Sequence, residues 1–371
     1  MRLMFASHSS DIAGAELCLV VLVEEAAARG HTGVVTVPRE GPLLSLLRPF
    51  ENNFPIVIQP VRPWMGRRFS ALVGIIRLGQ ALFGGLGFYR LLGQDNFDLV
   101  VVNSSVIPAP LLAARAKGIT SLLIVRESII SNPNLRSALP RRLIRRLLSA
   151  WATESISNSR YIAEQFHYKC EVIYPELARS HFDVSESRRD GDKSGSLQAV
   201  MLGTLSPEKG QLDAVQAIAH ARSRGKVISL DIYGSGSPQY ANLIEKAIRR
   251  HDLGDLVKLH APTGAPRSAF RHADLSIVCS RNEAFGMVTA ESVLAGTPVI
   301  GYNRGGTAEI LSGGGGLLIE ADAASLADAL IEIEGNRDLL QRLRLECKDS
   351  ELRELLYNSP SSMLDAIERL A

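Results

Sequence analysis

The sequence predicts an α/β protein built from two parallel-sheet domains. Three observations predict it: the length of 371 residues, the alternation of short β-branched runs with longer amphipathic segments, and one polar interruption near the middle. Domains commonly hold about 100–200 residues, so this chain is comfortable for two. Alternation of strand and helix builds parallel sheets with crossover helices. Apolar residues make up 46% of the chain and charged residues 22%, so either half can bury a proper core.

Arg2-Leu3-Met4-Phe5-Ala6-Ser7 reads as a buried first strand, ending where His8, Ser9 and Ser10 turn polar. That run is too short for the core of a secretory signal. Further strands are expected at 33–37, 55–58, 98–103, 121–126, 153–157 and 171–173, with helices over 15–29, 108–117 and 160–166 in the gaps. The longest apolar stretch, 71–92, carries five glycines and is interrupted by Arg77, Gln80 and Arg90. Those interruptions argue against a membrane-spanning helix, and a cytoplasmic protein is expected.

From Glu176 to Ser196 the chain is charged and lacks periodic hydrophobics, which reads as a linker. The expected domains are therefore 1–176 and 196–358, joined by 177–195. A second alternating series follows, with strands at 197–202, 227–233, 257–260, 275–279, 298–301 and 316–319. Helices should start near Pro207, Gln239, Phe285, Ala324 and Asn336. A last helix within 359–371, marked by Met363, Ile367 and Leu370, is expected to cross back to the first domain.

Cys18, Cys170, Cys279 and Cys347 are far apart and match no metal or redox spacing, so they read as free thiols. Residues 1–176 carry 19 Lys and Arg against 13 Asp and Glu, within a chain of net charge +2. A nucleic-acid binder would be far more basic, so none is expected; the excess points the first half toward an anionic partner. A nicotinamide enzyme would want G-x-G-x-x-G after the first strand, and the stretch from Ser7 to Gly14 holds one glycine.

The informative residues all follow expected strands. In open parallel sheets, ligands sit beyond the carboxyl ends of strands, where helix N-termini offer unpaired N–H groups. Gly14 follows the first strand, Thr204 to Lys209 the first strand of the second half, Gly234 to Gly236 the next, and Glu283 to Met287 a later one. In Ser206-Pro207-Glu208-Lys209-Gly210, Ser206 suits a helix N-cap and Pro207 the first helical position. Lys209 then opposes the helix dipole, a cost of about 0.3–1 kcal/mol that a docked anion would reverse. It is either a diphosphate ligand or a solvated surface lysine.

In Ser280-Arg281-Asn282-Glu283-Ala284-Phe285-Gly286-Met287-Val288-Thr289-Ala290-Glu291, Glu283 sits just before a helix and Glu291 about 9 Å along its axis. Both can face one elongated ligand. The backbone of Phe285, Gly286 and Met287 supplies N–H donors, with Gly286 permitting close approach, and Glu291 suits a pair of vicinal hydroxyls. The bland reading is a surface carboxylate plus an ordinary helical Glu.

The stretch 272–318, HADLSIVCSRNEAFGMVTAESVLAGTPVIGYNRGGTAEILSGGGGLL, resembles the signature of retaining GT-B glycosyltransferases of family 4, the group 1 glycosyl transferases. Gly203-Thr204-Leu205-Ser206-Pro207-Glu208-Lys209-Gly210 resembles the family's phosphate-binding turn, and Tyr233-Gly234-Ser235-Gly236 its next glycine turn. Gly14-Ala15-Glu16 resembles its N-terminal loop, and Ile156-Ser157-Asn158-Ser159-Arg160 a strand-to-helix turn. The likeness is strong over 196–320 and loose before 150.

The resemblance implies two Rossmann-like domains facing a central cleft and a nucleotide-sugar donor held mainly by the second. Glu283 and the backbone of Phe285, Gly286 and Met287 would hold the sugar, Glu291 the ribose and Lys209 the diphosphate. Gly203, Thr204, Gly234 and Ser235 would line the donor site, and Gly14 would let the N-terminal loop close on it. Two positions depart from the pattern. Thr204 stands where the family often has Arg, and Val125-Arg126-Glu127-Ser128 where many members have a histidine. Arg126 can replace some electrostatics as a catalytic candidate, although its pKa is too high for acid–base work.

A retaining transfer needs no protein nucleophile when the leaving phosphate takes the acceptor proton. Neither a cofactor nor a catalytic metal is expected. The expected acceptor is a saccharide or lipid-linked saccharide and the donor a UDP-sugar ahead of GDP-mannose, with base choice near 257–264. A nucleotide-sugar epimerase or hydrolase, or a catalytically silent protein of the same architecture, remains the alternative. Finally, Arg141, Arg142, Arg145 and Arg146 share one side of a helical wheel opposite Leu139, Leu143, Ile144, Leu147 and Leu148. With Trp64, Met65, Arg67 and Arg68, that helix could face an anionic membrane; the alternative is an ordinary helix packing its leucines on the sheet.

Overall fold

The computed structural model describes residues 1–66, 71–166, 170–178, 180 and 196–371. The chain divides into two compact units: Met1–Ala178 with Leu355–Ala371, and Arg179–Glu354. Most of the expected linker, like Arg67 and Arg68, lies outside the described residues.

In the first unit, β1 (Arg2–Ala6), β2 (Thr32–Val37), β3 (Ile56–Ile58), β4 (Leu99–Val102), β5 (Thr120–Val125), β6 (Glu154–Ser157) and β7 (Glu171–Val172) form one sheet. Its order is β3-β2-β1-β4-β5-β6-β7, with every pairing parallel. The helices are α1 (Gly14–Ala28), α2 (Leu43–Leu47), α3 (Ala71–Leu91), α4 (Ala109–Lys117), α5 (Arg141–Trp151) and α6 (Arg160–Phe166). The central strands are continuous apolar runs because helices cover both faces of a parallel sheet. Leu3 to Ala6 and Leu99 to Val102 are accordingly fully buried. Gly118, at φ +68°, ends α4 in the left-handed conformation that a helix stop favours.

In the second unit, β8 (Leu197–Leu202), β9 (Ile228–Tyr233), β10 (Val257–His260), β11 (Leu275–Val278), β12 (Val299–Tyr302) and β13 (Gly316–Ile319) form a parallel sheet ordered β10-β9-β8-β11-β12-β13. Around it lie α7 (Gln211–Ser223), α8 (Pro238–Arg250), α9 (Pro266–His272), α10 (Met287–Leu294), α11 (Gly305–Leu311), α12 (Ala323–Gly335) and α13 (Arg337–Lys348). β9 alternates buried and half-buried positions, and its buried Leu230 joins Leu197, Ile218, Ile277 and Leu330 in one apolar core.

The last helix, α14 (Leu352–Glu368), begins earlier than the sequence predicts and runs straight through Pro360. Proline is disfavoured inside a helix because it lacks the N–H an interior position needs. Burial overrides that preference: Leu356 on one side of Pro360, and Met363, Leu364 and Ile367 on the other, are almost wholly covered. The last three join the core of the first unit, and Arg29 adds an ion pair to Asp365 at 2.6 Å.

In each sheet the strand order reverses beside the first strand, between β1 and β4 and between β8 and β11. Connections diverge to opposite faces there, leaving a crevice at the carboxyl edge where a ligand fits. No described helix is long and apolar enough to cross a membrane.

Candidate functional site

Beside the switch point of the second unit, the turns after β8 and β9 are stitched together. Gly203 N–H donates to Tyr233 O at 3.0 Å and Leu205 N–H to Ser235 O at 2.8 Å. Gly203 holds φ at +138°, and a Cβ on Gly234 would stand 2.0 Å from Gly203 O. Both positions thus require glycine. Thr204 and Ser235 are exposed on this edge.

Ser206 and Pro207 open a single 3₁₀ turn, Pro207–Lys209, rather than the α-helix the sequence predicts. Gly210, at φ +71°, interrupts the helix, and α7 starts only at Gln211. Ser206 makes no side-chain cap; its own N–H is taken by Gln211 Oε1 at 3.3 Å, and Gln211 Nε2 donates to Thr204 O at 3.0 Å. Lys209 therefore ends a tight turn, and its ammonium reaches the loop after β11. There Lys209 Nζ meets Glu283 Oε1. The side chains are 27% and 15% exposed, so the pair is partly desolvated yet open to a ligand.

Glu283 is held through its backbone. Gly306 N–H donates to Glu283 O at 3.0 Å, while a Cβ on Gly306 would fall 1.9 Å from Phe285 O. The glycine pair before Thr307 exists so that α11 can pack against this loop. Gly286 takes φ +97°, so α10 begins at Met287, two residues later than predicted. At Met287, Val288 and Thr289 the helix offers N–H groups without intrahelical acceptors. The Phe285 ring is buried, which leaves only its backbone for a ligand. Glu291 follows one turn along α10, and desolvation pushes its carboxyl up to about 7.

The sequence did not single out the clamp behind these residues. Asp213 Oδ2 accepts from Arg281 Nη2 at 2.7 Å and from Tyr302 Oη at 2.8 Å, tying the loop after β11 to α7. Beside β9, a cavity of about 220 Å³ is lined by Gln198, Asp231, Tyr233, Thr263, Ser268 and His272, among others. His260 stacks on Tyr233 at 4.6 Å and contacts Asp231 Oδ1 at 2.7 Å. This polar cluster adjoins the 257–264 stretch.

The carboxyl edge of the first unit carries its own polar network. Asn103, just past β4, donates to Ala15 O at 2.8 Å and accepts from Arg126 Nε at 2.8 Å. Arg126 Nη2 in turn donates to Glu176 Oε2 at 2.9 Å, with the two side chains 4% and 0% exposed. Desolvation works against this guanidinium's charge, but the charge and hydrogen bond of Glu176, with smaller contributions from Cys18 and Glu127, together outweigh it and raise its pKa. Arg126 is thus a buried tie between the ends of β4, β5 and the segment after β7. Gly14 is the first residue of α1. Two residues on, the buried Glu16 lies 3.1 Å from His8 Nδ1, and burial raises its pKa against the pull of His8. Sequence reading noted both only as a strand end and a loop; their signal was a histidine just past β1 and an acid in the first turn of α1.

The expected basic face of α5 needs correction. Arg141, Arg142 and Arg146 are exposed, but Arg145 is buried and donates to Gln165 O. Leu143 lies outward at 40% exposure. Trp64 and Met65 are buried as well: Trp64 donates to Ser105 O at 3.0 Å and packs on Trp151. Their rings and chains fill the core beside α5, where apolar burial outweighs any surface role. Among the described residues, no cluster of three His, Cys, Asp or Glu side chains is arranged to hold a metal ion.

Residues 183–348 match the family model described as glycosyl transferases group 1. Among curated proteins, the chain is 30% identical over 206 residues to D-inositol 3-phosphate glycosyltransferase of Arthrobacter sp. (strain FB24), covering 50% of this chain and 49% of that protein. It is 30% identical over 154 residues to glycogen synthase of Mycobacterium tuberculosis (strain ATCC 25618 / H37Rv), covering 40% and 37%. The chain thus spans half or less of the length of these relatives. Among solved structures, Anabaena Alr3699/HepE in complex with UDP and glucose superposes with a TM-score of 0.75 at 18% identity, covering 98% of this chain and 99% of that one. The two units have the parallel-sheet fold of GT-B glycosyltransferases, and residues 183–348 carry the group 1 glycosyl transferase match.

Proposed function

We propose that the chain transfers a sugar from a nucleoside diphosphate donor to a saccharide or lipid-linked saccharide, with retention at the anomeric carbon. The carrying observation is the Lys209–Glu283 contact, which sets a cation and a carboxylate beside the N-terminus of α10 at the switch point of the second unit. A diphosphate suits Lys209 and the N–H groups of α10, and sugar hydroxyls suit Glu283. Glu291 is the ribose partner. A UDP-sugar is favoured over GDP-mannose, consistent with the UDP and glucose bound to the Anabaena protein.

The protein's part in such a reaction is orientation and charge stabilisation. The acceptor oxygen bonds to the anomeric carbon as the bond to the diphosphate breaks, and the leaving phosphate takes the acceptor proton. Lys209 and α10 stabilise the charge that develops on the diphosphate. The first unit supplies the acceptor side, with Arg126 as a positioning residue and the His8–Glu16 pair at the same strand edge. No metal or cofactor enters this scheme.

A thermal-shift series with UDP-glucose, UDP-N-acetylglucosamine and GDP-mannose tests the donor reading, because a ligand of the native state raises stability by mass action. At a hundredfold excess over Kd the gain is about 2.7 kcal/mol. Nuclear magnetic resonance of the product's anomeric proton then decides retention. An inverted product would remove the retaining assignment, and failure of every nucleotide sugar to shift the melt would remove the donor.

A further inference from the structure

Helix α3 is apolar on its outer face as well as its inner one, unlike an ordinary surface helix. Its inner residues Ala81 and Phe88 are fully covered, and Gly84 and Gly85 lie against Ala109 of α4. Outward, on one face at helical spacing, stand Ile75, Ile76, Phe83 and Leu86, exposed by 64%, 48%, 75% and 56%. A row of large apolar side chains in water marks an interaction surface.

Charge identifies what covers it. No Asp or Glu occurs between Glu51 and Asp95, nor between Glu127 and Glu154. These two acid-free stretches contain α3 and α5, and they present the exposed Arg62, Arg90, Arg136, Arg141, Arg142 and Arg146. The fold joins the two stretches at residues 64–66: Gly66 and Arg136 exchange backbone hydrogen bonds at 3.1 and 3.2 Å, and the rings of Trp64 and Trp151 pack 5.7 Å apart, while the exposed Arg90 shares the apolar face of α3 at helical spacing. A second copy seated here would bring arginines against arginines. An anionic surface matches both the apolar stripe and its cationic flanks.

We infer that this face of the first unit docks on an anionic lipid bilayer, with Phe83, Leu86, Ile75 and Ile76 entering the acyl boundary. The exposed arginines meet headgroup phosphates. Binding strength in this mode combines buried apolar area with attraction to anionic lipid. α5 contributes charge alone, since its leucines and Arg145 largely serve the protein interior. The inference stands apart from the sugar-transfer reading, and its test involves no turnover.

The test is flotation of the full chain with phosphatidylglycerol–phosphatidylcholine vesicles and, separately, with phosphatidylcholine alone. The chain should float with the anionic vesicles, less so as salt rises. Phe83→Ser should weaken that binding about tenfold, since burying a large apolar side chain is worth about 1.5 kcal/mol or more and about 1.4 kcal/mol is a factor of ten. Arg142→Gln with Arg146→Gln should weaken it also. All three side chains point outward, so the melting temperature should hold. Absence of flotation at low salt, equal flotation on neutral vesicles, or Phe83→Ser floating like the parent overturns the inference. A Phe83-dependent dimer in sedimentation velocity, without flotation, would assign the face to a second copy and overturn it too.

Discussion

Lys209 and Glu283 stand 74 residues apart in the sequence and touch in the folded second unit. The lysine comes from the turn after β8 and the glutamate from the loop after β11, so the pair bridges the two strands between which the sheet order reverses. Neither is deeply buried, and each can exchange its partner for a ligand. That is the arrangement expected of a site, not of a core.

Lys209→Met should therefore separate function from stability. Loss of a donor aimed at developing charge costs about 100-fold or more in turnover. The part-exposed ion pair contributes at most about 1 kcal/mol to folding. Initial rates beside thermal melts check this; a large fall in melting temperature with unchanged turnover would make Lys209 structural.

Glu291 should make both stability and donor binding depend on pH. Its carboxyl is raised from 4.5 to about 7 by desolvation. A raised carboxyl means the folded state holds the proton more tightly, so this contribution is fully present below about pH 4.5 and is lost as pH rises through 7. Glu291→Gln should thus gain stability over the parent at pH 8 and show little difference at pH 5. Binding of UDP-glucose, whose diphosphate has no ionisation in this window, should strengthen between pH 6 and 8 in the parent and stay flat in Glu291→Gln.

The Arg126–Glu176 pair makes the opposite kind of prediction. Removing one partner strands a buried charge, so Glu176→Ala should cost about 3–5 kcal/mol in urea unfolding. Replacing both by apolar side chains of similar size, Arg126→Met with Glu176→Leu, should recover much of that loss. If Glu176→Ala unfolds like the parent, the pair does not tie the strand ends together.

Strands were the most legible part of the sequence. The runs at 197–202, 257–260 and 316–319 coincide with β8, β10 and β13; β8 is a largely buried apolar run, while β10 and β13 are half-exposed edge strands bounded by polar or glycine-rich turns. Helix starts were less legible where a glycine takes a left-handed conformation. Gly210 and Gly286 each delay a helix by interrupting it at positive φ, which periodicity alone does not show. The start of α14 was placed too late because Met363, Ile367 and Leu370 alone marked its face, whereas the helix begins at Leu352 and continues through Pro360, where tertiary packing overrides local preference. Within the site, Lys209 and Glu283 were visible as charged residues just past strands, and Glu291 by its place along the helix that follows Glu283. The Asp213 clamp was not, since its partners Arg281 and Tyr302 come from distant segments; His8 and Glu16 are near in sequence, but only the fold of the turn between β1 and α1 brings them together. Arg145 was misread because a helical wheel assigns faces by residue type, and here the guanidinium finds a carbonyl inside.

The glycine pair at 305–306 should tolerate no side chain. A Cβ at Gly306 would lie 1.9 Å from Phe285 O, so Gly306→Ala should force the Glu283 loop away from α11. The expected cost is at least about 1–3 kcal/mol, with donor binding lost in whatever fraction remains folded. Melting curves with and without UDP-glucose check both parts.

Calorimetric titration of UDP-glucose and GDP-mannose into the parent protein, Lys209→Met and Glu283→Gln tests the donor site most directly. One nucleotide sugar should bind the parent saturably with one site per chain. Each substitution should weaken it at least about tenfold, as loss of a hydrogen bond to a charged group does. Binding that ignores both substitutions would show that a nucleotide sugar, if held at all, lies somewhere other than between these two side chains.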